Sequence, residues 1–306
     1  MKIKLKYSRR ESSMKYLNSI TFPDKEVEFD FFLEIKRTVY DSFYPFQVLP
    51  KHSFERIDFE PITILYGGNG SGKTTALNII AEKLELKRDS NFNKSNFFVN
   101  YLSLCAIDIV ETIPIHSRII TSDDVFDYIL TIRSLNDGID LKREALFEEY
   151  LEAKYSKFQM HSLEDYDQLR KVTDARSKSQ SHYVRDKLMG NVREHSNGEN
   201  AFRYFTNKIE ENGLYVLDEP ENSLSPIRQM ELMQFIEDSA RFFGCQFIIS
   251  THSPFFLAFR EAKIYDLDSD PVDVKKWTEL ENVQTYYNFF KEHQEEFHLS
   301  ENKNKD

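Results

Sequence analysis

A glycine-rich loop between an apolar run and a helical pattern constrains this chain more than any other feature. The loop reads GGNGSGKT over residues 67–74, and the residues before it, Ile62–Tyr66, are apolar or β-branched. After it, apolar residues recur at helical spacing on one face, at Leu77, Ile80, Ala81 and Leu84. This order predicts a buried strand, a tight loop and a helix, which together form a local unit of an α/β fold.

The loop has the chemistry of a phosphate site. Glycines let backbone N–H groups turn inward around an anion, and the N-terminus of the following helix adds a favourable dipole. Lys73 can reach the β- and γ-phosphates, and the Thr74 hydroxyl can hold Mg²⁺. A plain glycine-rich turn is the alternative, and the flanking strand and helix argue against it. We therefore expect ATP and Mg²⁺ as cofactors, with the nucleotide bound by Gly67, Asn69, Gly70, Ser71, Gly72, Lys73, Thr74 and Thr75.

A pair of acids follows a second apolar run. Leu214–Leu217 leads directly into Asp218 and Glu219. A buried strand here would carry Asp218 to the magnesium ion held by Thr74, and Glu219 to the water molecule that attacks the γ-phosphate. We expect Asp218 and Thr74 as metal ligands and Glu219 as the catalytic base. An acidic turn at a strand end is the alternative, and the upstream glycine loop favours the catalytic interpretation.

A histidine follows a third apolar run. Phe247–Ile249 is succeeded by Ser250, Thr251 and His252. The carboxyl ends of parallel strands meet at one edge of a sheet, which would bring His252 to the γ-phosphate as a second catalytic residue. A structural histidine is the alternative, and the two preceding motifs favour a functional one.

A short polar turn, SNGE, occupies residues 196–199 upstream of the two acids. Ser196 is a candidate cap for a helix that begins there. Taken alone, the turn is typical of a capped surface loop.

In this order the motifs resemble those of ABC-type ATPases. The matching segments are the Walker A loop at 67–74, the signature at 196–199, the Walker B strand at 214–219, the D-loop at 222–225 and the switch histidine His252. The resemblance implies an α/β P-loop NTPase of the ABC-ATPase type with an antiparallel β layer. It also implies a homodimer that forms on ATP, in which Ser196 and Gly198 contact the nucleotide bound by the other subunit.

The strings DEPENSLSP and ISTHSP look like those of the soluble OLD-like and SMC/RecF-like branch of AAA-family ATPases, which includes stand-alone bacterial proteins. This branch implies a regulatory ATPase that controls an effector, such as a nuclease or toxin, or engages nucleic acid, in phage defence or DNA repair. The ATPase subunit of an ABC membrane transporter is the alternative, although such subunits usually carry LSGGQ where this chain has SNGE. A nucleotide switch with negligible turnover is a third hypothesis, and Glu219 argues against it.

Two positions of the family pattern have no evident residue in this chain. The Q-loop glutamine is expected after the strand RIIT, where the chain has Ser122, Asp123 and Asp124. The aromatic residue that stacks on adenine is sought among Tyr40, Tyr44 and Phe46.

The remaining segments are organised around these motifs within one ATPase domain, 1–306. Residues 15–66 are rich in β-branched and aromatic residues and predict three or more strands, with EVEFDFFLEIKRTVY at 26–40 among them. Residues 89–195 are polar with helical patterns and predict an inserted, mainly helical lobe. The last segments are expected to be a strand at Lys263–Leu267, a tail helix at Trp277–Phe297 and a disordered end at 300–306.

Charge limits the partners that we expect. The chain has 40 Lys and Arg against 51 Asp and Glu, a net charge of −11, and such a surface repels polyanions except where basic residues concentrate. Residues 171–195 hold six Lys or Arg against three acids, which keeps nucleic-acid contact open. A solvated helix face is the simpler interpretation of that stretch.

From the cysteines and the hydropathy of the sequence we expect a cytoplasmic protein. Cys105 and Cys245 are far apart in sequence, which predicts neither a disulfide framework nor a zinc site. No apolar run approaches the roughly 18 residues that a membrane-spanning helix needs, so direct membrane insertion is not expected. Too little chain follows the four late acids for a nuclease domain, so strand-end and turn roles are expected for Asp266, Asp268, Asp270 and Asp273.

Overall fold

The computed structural model divides the chain into two compact units. The first comprises Met1–Val125 and Asn197–Asp306, and the second comprises Phe126–Ser196. In the described part of the chain, no helix combines the length and the apolar composition that a membrane span requires. The structure describes residues 15–35, 40, 42–158, 165–191 and 196–297, without the side chains of 51 and 52. The segment predicted as a disordered end lies outside these residues.

Strands and helices are numbered here in chain order. The strands are β1 (Leu17–Thr21), β2 (Arg56–Asp58), β3 (Ile62–Tyr66), β4 (Ala106–Ile109), β5 (Arg118–Thr121), β6 (Leu214–Asp218), β7 (Gln246–Ser250), β8 (Lys263–Asp266) and β9 (Asp273–Val274). The helices of the first unit are α1 (Lys25–Glu34), α2 (Lys73–Lys83), α3 (Phe98–Leu104), α7 (Asn197–Lys208), α8 (Pro226–Phe242), α9 (Pro254–Leu257) and α10 (Glu281–Glu292). The second unit contains most of α4 (Ser122–Tyr155), together with α5 (Tyr166–Ser177) and α6 (Gln180–Lys187).

A six-stranded sheet positions the predicted motifs in the first unit. Its strand order is β5-β6-β7-β3-β8-β9, and every pairing is parallel except that of β8 with β9. All residues of β3, β6 and β7 are buried, which explains their continuous apolar runs. Because these strands are parallel, the glycine loop, the two acids and the histidine all follow strand ends at the same edge of the sheet.

A second sheet provides the antiparallel layer that the resemblance implied. Its order is β2-β1-β4, and both pairings are antiparallel. β4 and β5 lie in the segment 89–195 that the sequence assigns to a helical lobe. The compact second unit instead begins at Phe126, so residues 89–125 belong to the first unit. The strand RIIT, which is β5, was recognised within that segment, whereas the four residues of β4 leave too short an apolar pattern to be recognised.

The predicted strand run begins with the helix α1, Lys25–Glu34, so the prediction of a strand there was wrong. Residues 36–39 of the run lie outside the described residues. Asp24 caps α1, since its Oδ1 accepts hydrogen bonds from the backbone N–H groups of Glu26 and Val27 at 2.9 and 2.8 Å. Phe31 and Phe32 pack against the hydrophobic core from this helix. The consecutive apolar residues hid the helical period, while the cap was visible in the sequence as an Asp before two early acids.

The second unit has a hydrophobic core of its own. Buried residues of α4, α5 and α6 form it, with Leu146, Tyr150, Val172, Ala175 and Tyr183 among them. Helices are present in this unit, as the sequence predicts, and the longest of them is α4 with 34 residues. The predicted tail helix is divided, because a 3₁₀ turn at Trp277–Glu279 precedes α10 and residues 294–297 form a further helical turn after it.

Candidate nucleotide-binding site

The glycine loop has a backbone that only glycine adopts readily. Gly70 and Gly72 have φ values of 84° and 95°, in the left-handed region. A Cβ on Gly67 would lie 2.6 Å from Ser71 Oγ, and one on Gly72 would lie 3.0 Å from Leu49 Cδ2. The three glycines are therefore required by conformation or by close packing, and the loop can curl around an anion as the sequence pattern predicts.

Lys73 points into the curl of the loop. Its side chain is buried, and Nζ donates to the carbonyl oxygens of Gly67 at 2.6 Å and Gly68 at 3.1 Å. Burial lowers the pKa of Lys73, while the carboxylates of Glu219 and Asp218 oppose that shift. Ser71 Oγ is also buried and has no hydrogen-bond partner among the described residues. A buried cation and an unpaired hydroxyl fit the oxygens of a phosphate group.

Several predicted ligands converge on one cavity over the loop. Its volume is about 270 Å³. Its lining includes Asn69, Gly70, Gly72, Lys73, Thr74, Thr75 and Glu219. The structure therefore brings the loop residues and the predicted base to one space.

Thr74 and Asp218 meet beside this cavity. Thr74 Oγ1 donates to Asp218 Oδ1 at 3.2 Å, and the Ser250 hydroxyl donates to the same oxygen. Burial raises the pKa of the Asp218 carboxyl, and the two hydrogen bonds act in the opposite direction. A hydroxyl and a carboxylate are the hard oxygen ligands that Mg²⁺ prefers. No group of three or more acidic, His or Cys metal ligands occurs among the described residues.

Glu219 and His252 face each other at the end of their strands. Glu219 Oε1 lies 3.3 Å from His252 Nε2, a contact without the alignment of a hydrogen bond. Glu219 has a left-handed φ of 49°, and its backbone N–H donates to both the carbonyl and the hydroxyl oxygen of Ser250 at 3.1 Å. Asn222 Nδ2 donates to Glu219 Oε2 at 3.1 Å. The turn after β6 therefore aims the Glu219 carboxylate at the histidine.

Glu221 was not singled out from the sequence. Its Oε1 accepts hydrogen bonds from Thr251 Oγ1 at 2.8 Å, His252 N at 2.6 Å and Ser253 N at 3.1 Å. Burial raises the pKa of this carboxyl, and the hydrogen bonds oppose the shift. The acid thereby ties the turn that precedes the D-loop to the segment that carries His252.

Asp268 was interpreted as a turn residue and has a further contact. Its carboxylate accepts from the backbone N–H of Gly68, with oxygens at 2.7 and 2.9 Å. The two residues are brought together because β8 pairs with β3, which ends at the loop. Asp268 therefore anchors the first turn of the loop, and no local sequence signal marks this role.

The signature turn lies at the start of α7. Gly198 is in the first turn of that helix, and a Cβ on it would lie 3.3 Å from Ser223 O and 3.9 Å from Ser225 N. It therefore packs on the D-loop. Ser196, the last residue of the second unit, immediately precedes α7.

A larger polar cavity of about 780 Å³ adjoins the Thr74–Asp218 pair. Ser122 and Asp123 line it, two of the three residues considered for the Q-loop position. Asp124 instead turns back, because its Oδ2 accepts from the backbone N–H and hydroxyl of Thr121 at 2.6 and 3.0 Å.

The three aromatic candidates for adenine stacking differ in position. Phe46 is buried and stacked on Phe31, and Tyr40 packs edge-on against Phe97. Tyr44 lines the larger cavity, and its hydroxyl donates to Thr75 Oγ1 at 3.3 Å. Only Tyr44 of the three therefore borders the site.

Comparison with known proteins gives a family match and a set of fold neighbours. Residues 196–257 match the family model described as the AAA ATPase domain. Comparison with curated proteins gives no match.

Two solved structures illustrate the fold neighbours. An ATP-binding cassette in a dimeric post-hydrolysis state with ADP and phosphate is 15% identical, with 72% of this chain and 88% of that chain covered and a TM-score of 0.34. The Smc head domain of Pyrococcus furiosus, bound to part of ScpA, is 13% identical, with 78% and 95% covered and a TM-score of 0.36. Likeness at this level carries no inference about activity or assembly. Over residues 196–257 the chain is therefore similar to the AAA ATPase domain, and the placement of its predicted motifs at one edge of the parallel sheet agrees with that likeness.

Proposed function

We propose that the chain binds Mg-ATP and hydrolyses it. The observation that carries this proposal is the hydrogen bond between Thr74 and Asp218 beside the loop, with Glu219 next along the chain. When bound, the magnesium ion would neutralise charge on the phosphates, held by Thr74 and Asp218. Lys73 would exchange its two carbonyl partners for phosphate oxygens, and Ser71 Oγ would gain a partner.

Glu219 is the proposed base for the attacking water. It lines the cavity over the loop, and its carboxylate contacts His252 Nε2 at 3.3 Å. A proton accepted by Glu219 would be stabilised there, with His252 beside the developing charge of the γ-phosphate. A protein that only binds nucleotide has no need of a carboxylate at this place.

The proposed assembly is a homodimer that forms on ATP. Gly198 lies on the D-loop, and in a head-to-tail dimer Ser196 and Gly198 would contact the nucleotide of the other subunit. ATP would then stabilise the dimer because it binds both subunits at once. The resemblance to OLD-like and SMC/RecF-like ATPases supports a regulatory role, in which this closure controls an effector such as a nuclease or toxin, or engages nucleic acid, in phage defence or repair.

Phosphate release from ATP tests the proposed reaction. We expect turnover that requires Mg²⁺ and is lost in Asp218→Asn, since an amide is a weaker ligand for magnesium. Asp238→Asn is the matched control, because Asp238 accepts a hydrogen bond from Gln234 on the exposed side of α8, and it should keep the parental rate. Turnover of Asp218→Asn at the parental rate would refute the assigned metal site.

Light scattering tests the proposed assembly. The Glu219→Gln protein should pass from monomer to dimer when Mg-ATP is added, because blocked hydrolysis preserves the closed state. A monomer at saturating Mg-ATP would refute the dimer and leave the reaction to be judged by phosphate release.

A further inference from the structure

Helix α10 and the helical turn at 294–297 expose a group of large aromatic side chains. Tyr286, Phe289 and Phe290 of α10 expose 48, 55 and 53% of their surface, and Phe297 exposes 56%. Spacings of three and four residues place the first three on one side of the helix. The ring of Phe297 lies 6.2 Å from that of Phe290, so it extends the same group. We call these four residues the aromatic face.

The aromatic face continues a stripe that is buried where α10 begins. Val283 is three residues before Tyr286 and seven before Phe290, which is helical spacing, and it is buried, as is Leu280. The first turn of α10 is therefore packed on the rest of the first unit, whereas the later turns expose the same apolar side to solvent. Large contiguous patches of exposed apolar side chains are typical of interaction sites.

Charge around the aromatic face indicates the kind of partner. Within residues 281–297 the acids Glu281, Glu292, Glu295 and Glu296 outnumber the single lysine, Lys291, and Glu296 contacts His293 Nδ1 at 2.7 Å. A second copy of this chain would bring the same acids into opposition. A partner segment with Lys or Arg beside its apolar residues would instead pair with them at the rim, which favours both encounter and orientation.

The first turn of α10 is joined to the nucleotide site. Asn282 Nδ2 donates to the carbonyl oxygen of His252 at 2.7 Å. The backbone N–H of Asn282 donates to Tyr66 Oη at 3.3 Å, and Tyr66 is the last residue before the glycine loop. Asn282 Oδ1 is buried and has no hydrogen-bond partner among the described residues, so this amide is held only through its Nδ2. A shift of the His252 segment would therefore be passed to α10.

We propose that the aromatic face docks a partner protein through an amphipathic helix flanked by Lys or Arg, and that Asn282 couples this docking to the nucleotide state. The inference deepens the proposed function, because it assigns the surface that an effector would occupy. Its second part, the coupling to the nucleotide state, rests on the proposed function. Coupling of this kind is reciprocal: if Mg-ATP changes the affinity for the partner, the partner changes the affinity for Mg-ATP by the same factor.

Selection from a displayed library of random peptides, on nucleotide-free protein, tests the surface. We expect amphipathic peptides with basic flanks, which bind a Phe289→Ser/Phe290→Ser protein at least about 30-fold more weakly, the scale of an interface hot spot. Phe242→Ser is the matched control, because Phe242 is an exposed phenylalanine of α8, and it should bind like the parent. Thermal unfolding should be the same for all three proteins, since both replaced side chains are exposed.

Two outcomes would overturn the docking surface. One is that the selection gives no peptide whose binding is weakened in the double variant, or that it gives acidic peptides. The other is a nucleotide-free parent that self-associates while the double variant is monomeric, since the face would then be an interface between copies of this chain.

The affinity of a selected peptide with and without Mg-ATP tests the coupling. We expect a change of about fivefold or more in the parent, and a smaller change in Asn282→Ala. The same response in both proteins would overturn the role of Asn282. Nucleotide binding is measured on the same samples, so a parent that fails to bind ATP refutes the proposed function while peptide binding still decides the docking surface.

Discussion

Glu221 Oε1 accepts a hydrogen bond of 2.6 Å from the backbone N–H of His252. Two more donors, Thr251 Oγ1 and Ser253 N, reach the same oxygen. One buried carboxylate thus holds the segment that follows β7 against the turn that follows β6. The position of His252 relative to Glu219 therefore depends on Glu221.

Removal of this carboxylate should slow hydrolysis without weakening ATP binding. We expect Glu221→Ala to lower kcat by about tenfold or more, because the His252 segment loses three hydrogen bonds. Glu221→Gln keeps an oxygen at the Oε1 position and should retain more activity. Glu231→Ala, which loses only a surface ion pair with Arg228, is the control. Parental turnover in Glu221→Ala would refute the positioning role.

Lys73→Ala should lose ATP binding. A methyl group cannot offset the phosphate charge inside a loop that already buries the lysine, so we expect affinity for a fluorescent ATP analogue to fall at least about 100-fold. Lys87→Ala, at an exposed position just after α2, should bind like the parent. Equal affinity of the two variants would contradict the assignment of the loop.

Ser196→Arg should leave ATP binding intact and stop hydrolysis if the signature turn acts on the other subunit. Ser177→Arg, at the end of α5 in the second unit, is the control. A mixture of Ser196→Arg and Lys73→Ala proteins should regain turnover, because a mixed dimer contains one site with both residues intact. Hydrolysis by Ser196→Arg at the parental rate would reduce the turn at 196–199 to a structural role.

Glu28 should make folding stability depend on pH. Burial raises the pKa of this carboxyl to about 7, so the folded protein holds its proton more tightly than the unfolded chain does. The stabilisation of the folded state by this bound proton is complete below pH ~4.3 and is lost as pH rises through 7. Relative to Glu28→Gln, the parent should therefore lose up to about 3 kcal/mol of unfolding free energy over that range. Denaturant titrations measure this, with the exposed Glu26→Gln as control, and a pH-independent difference would contradict it.

The sheet strands that carry the motifs could be predicted because their signals are local. An apolar run that ends in glycines or acids indicates a buried strand with a polar edge, and β3, β6 and β7 agree with that pattern. The helix after the loop followed from its spacing. The Asp218–Ser250 contact was also accessible in principle, since the two residues are opposite each other in the parallel register.

The remaining features depend on contacts between distant parts of the chain. Asp268 and Gly68 are far apart in sequence, and their hydrogen bonds exist only because β8 pairs with β3. The role of Glu221 depends on the chain turn after β6 and on the path of residues 251–253, neither of which has a local pattern. The helix α1 was missed because its run of apolar residues outweighed the cap at Asp24.

Turnover of the Glu219→Gln protein at saturating Mg-ATP tests the central claim most directly. The amide keeps the size of the side chain and removes the base, while Thr74, Asp218 and Lys73 are untouched. We predict unchanged affinity for Mg-ATP and a loss of phosphate release on the order of 100-fold or more. Phosphate release at the parental rate, with equal affinity, would contradict the assignment of Glu219 as the base.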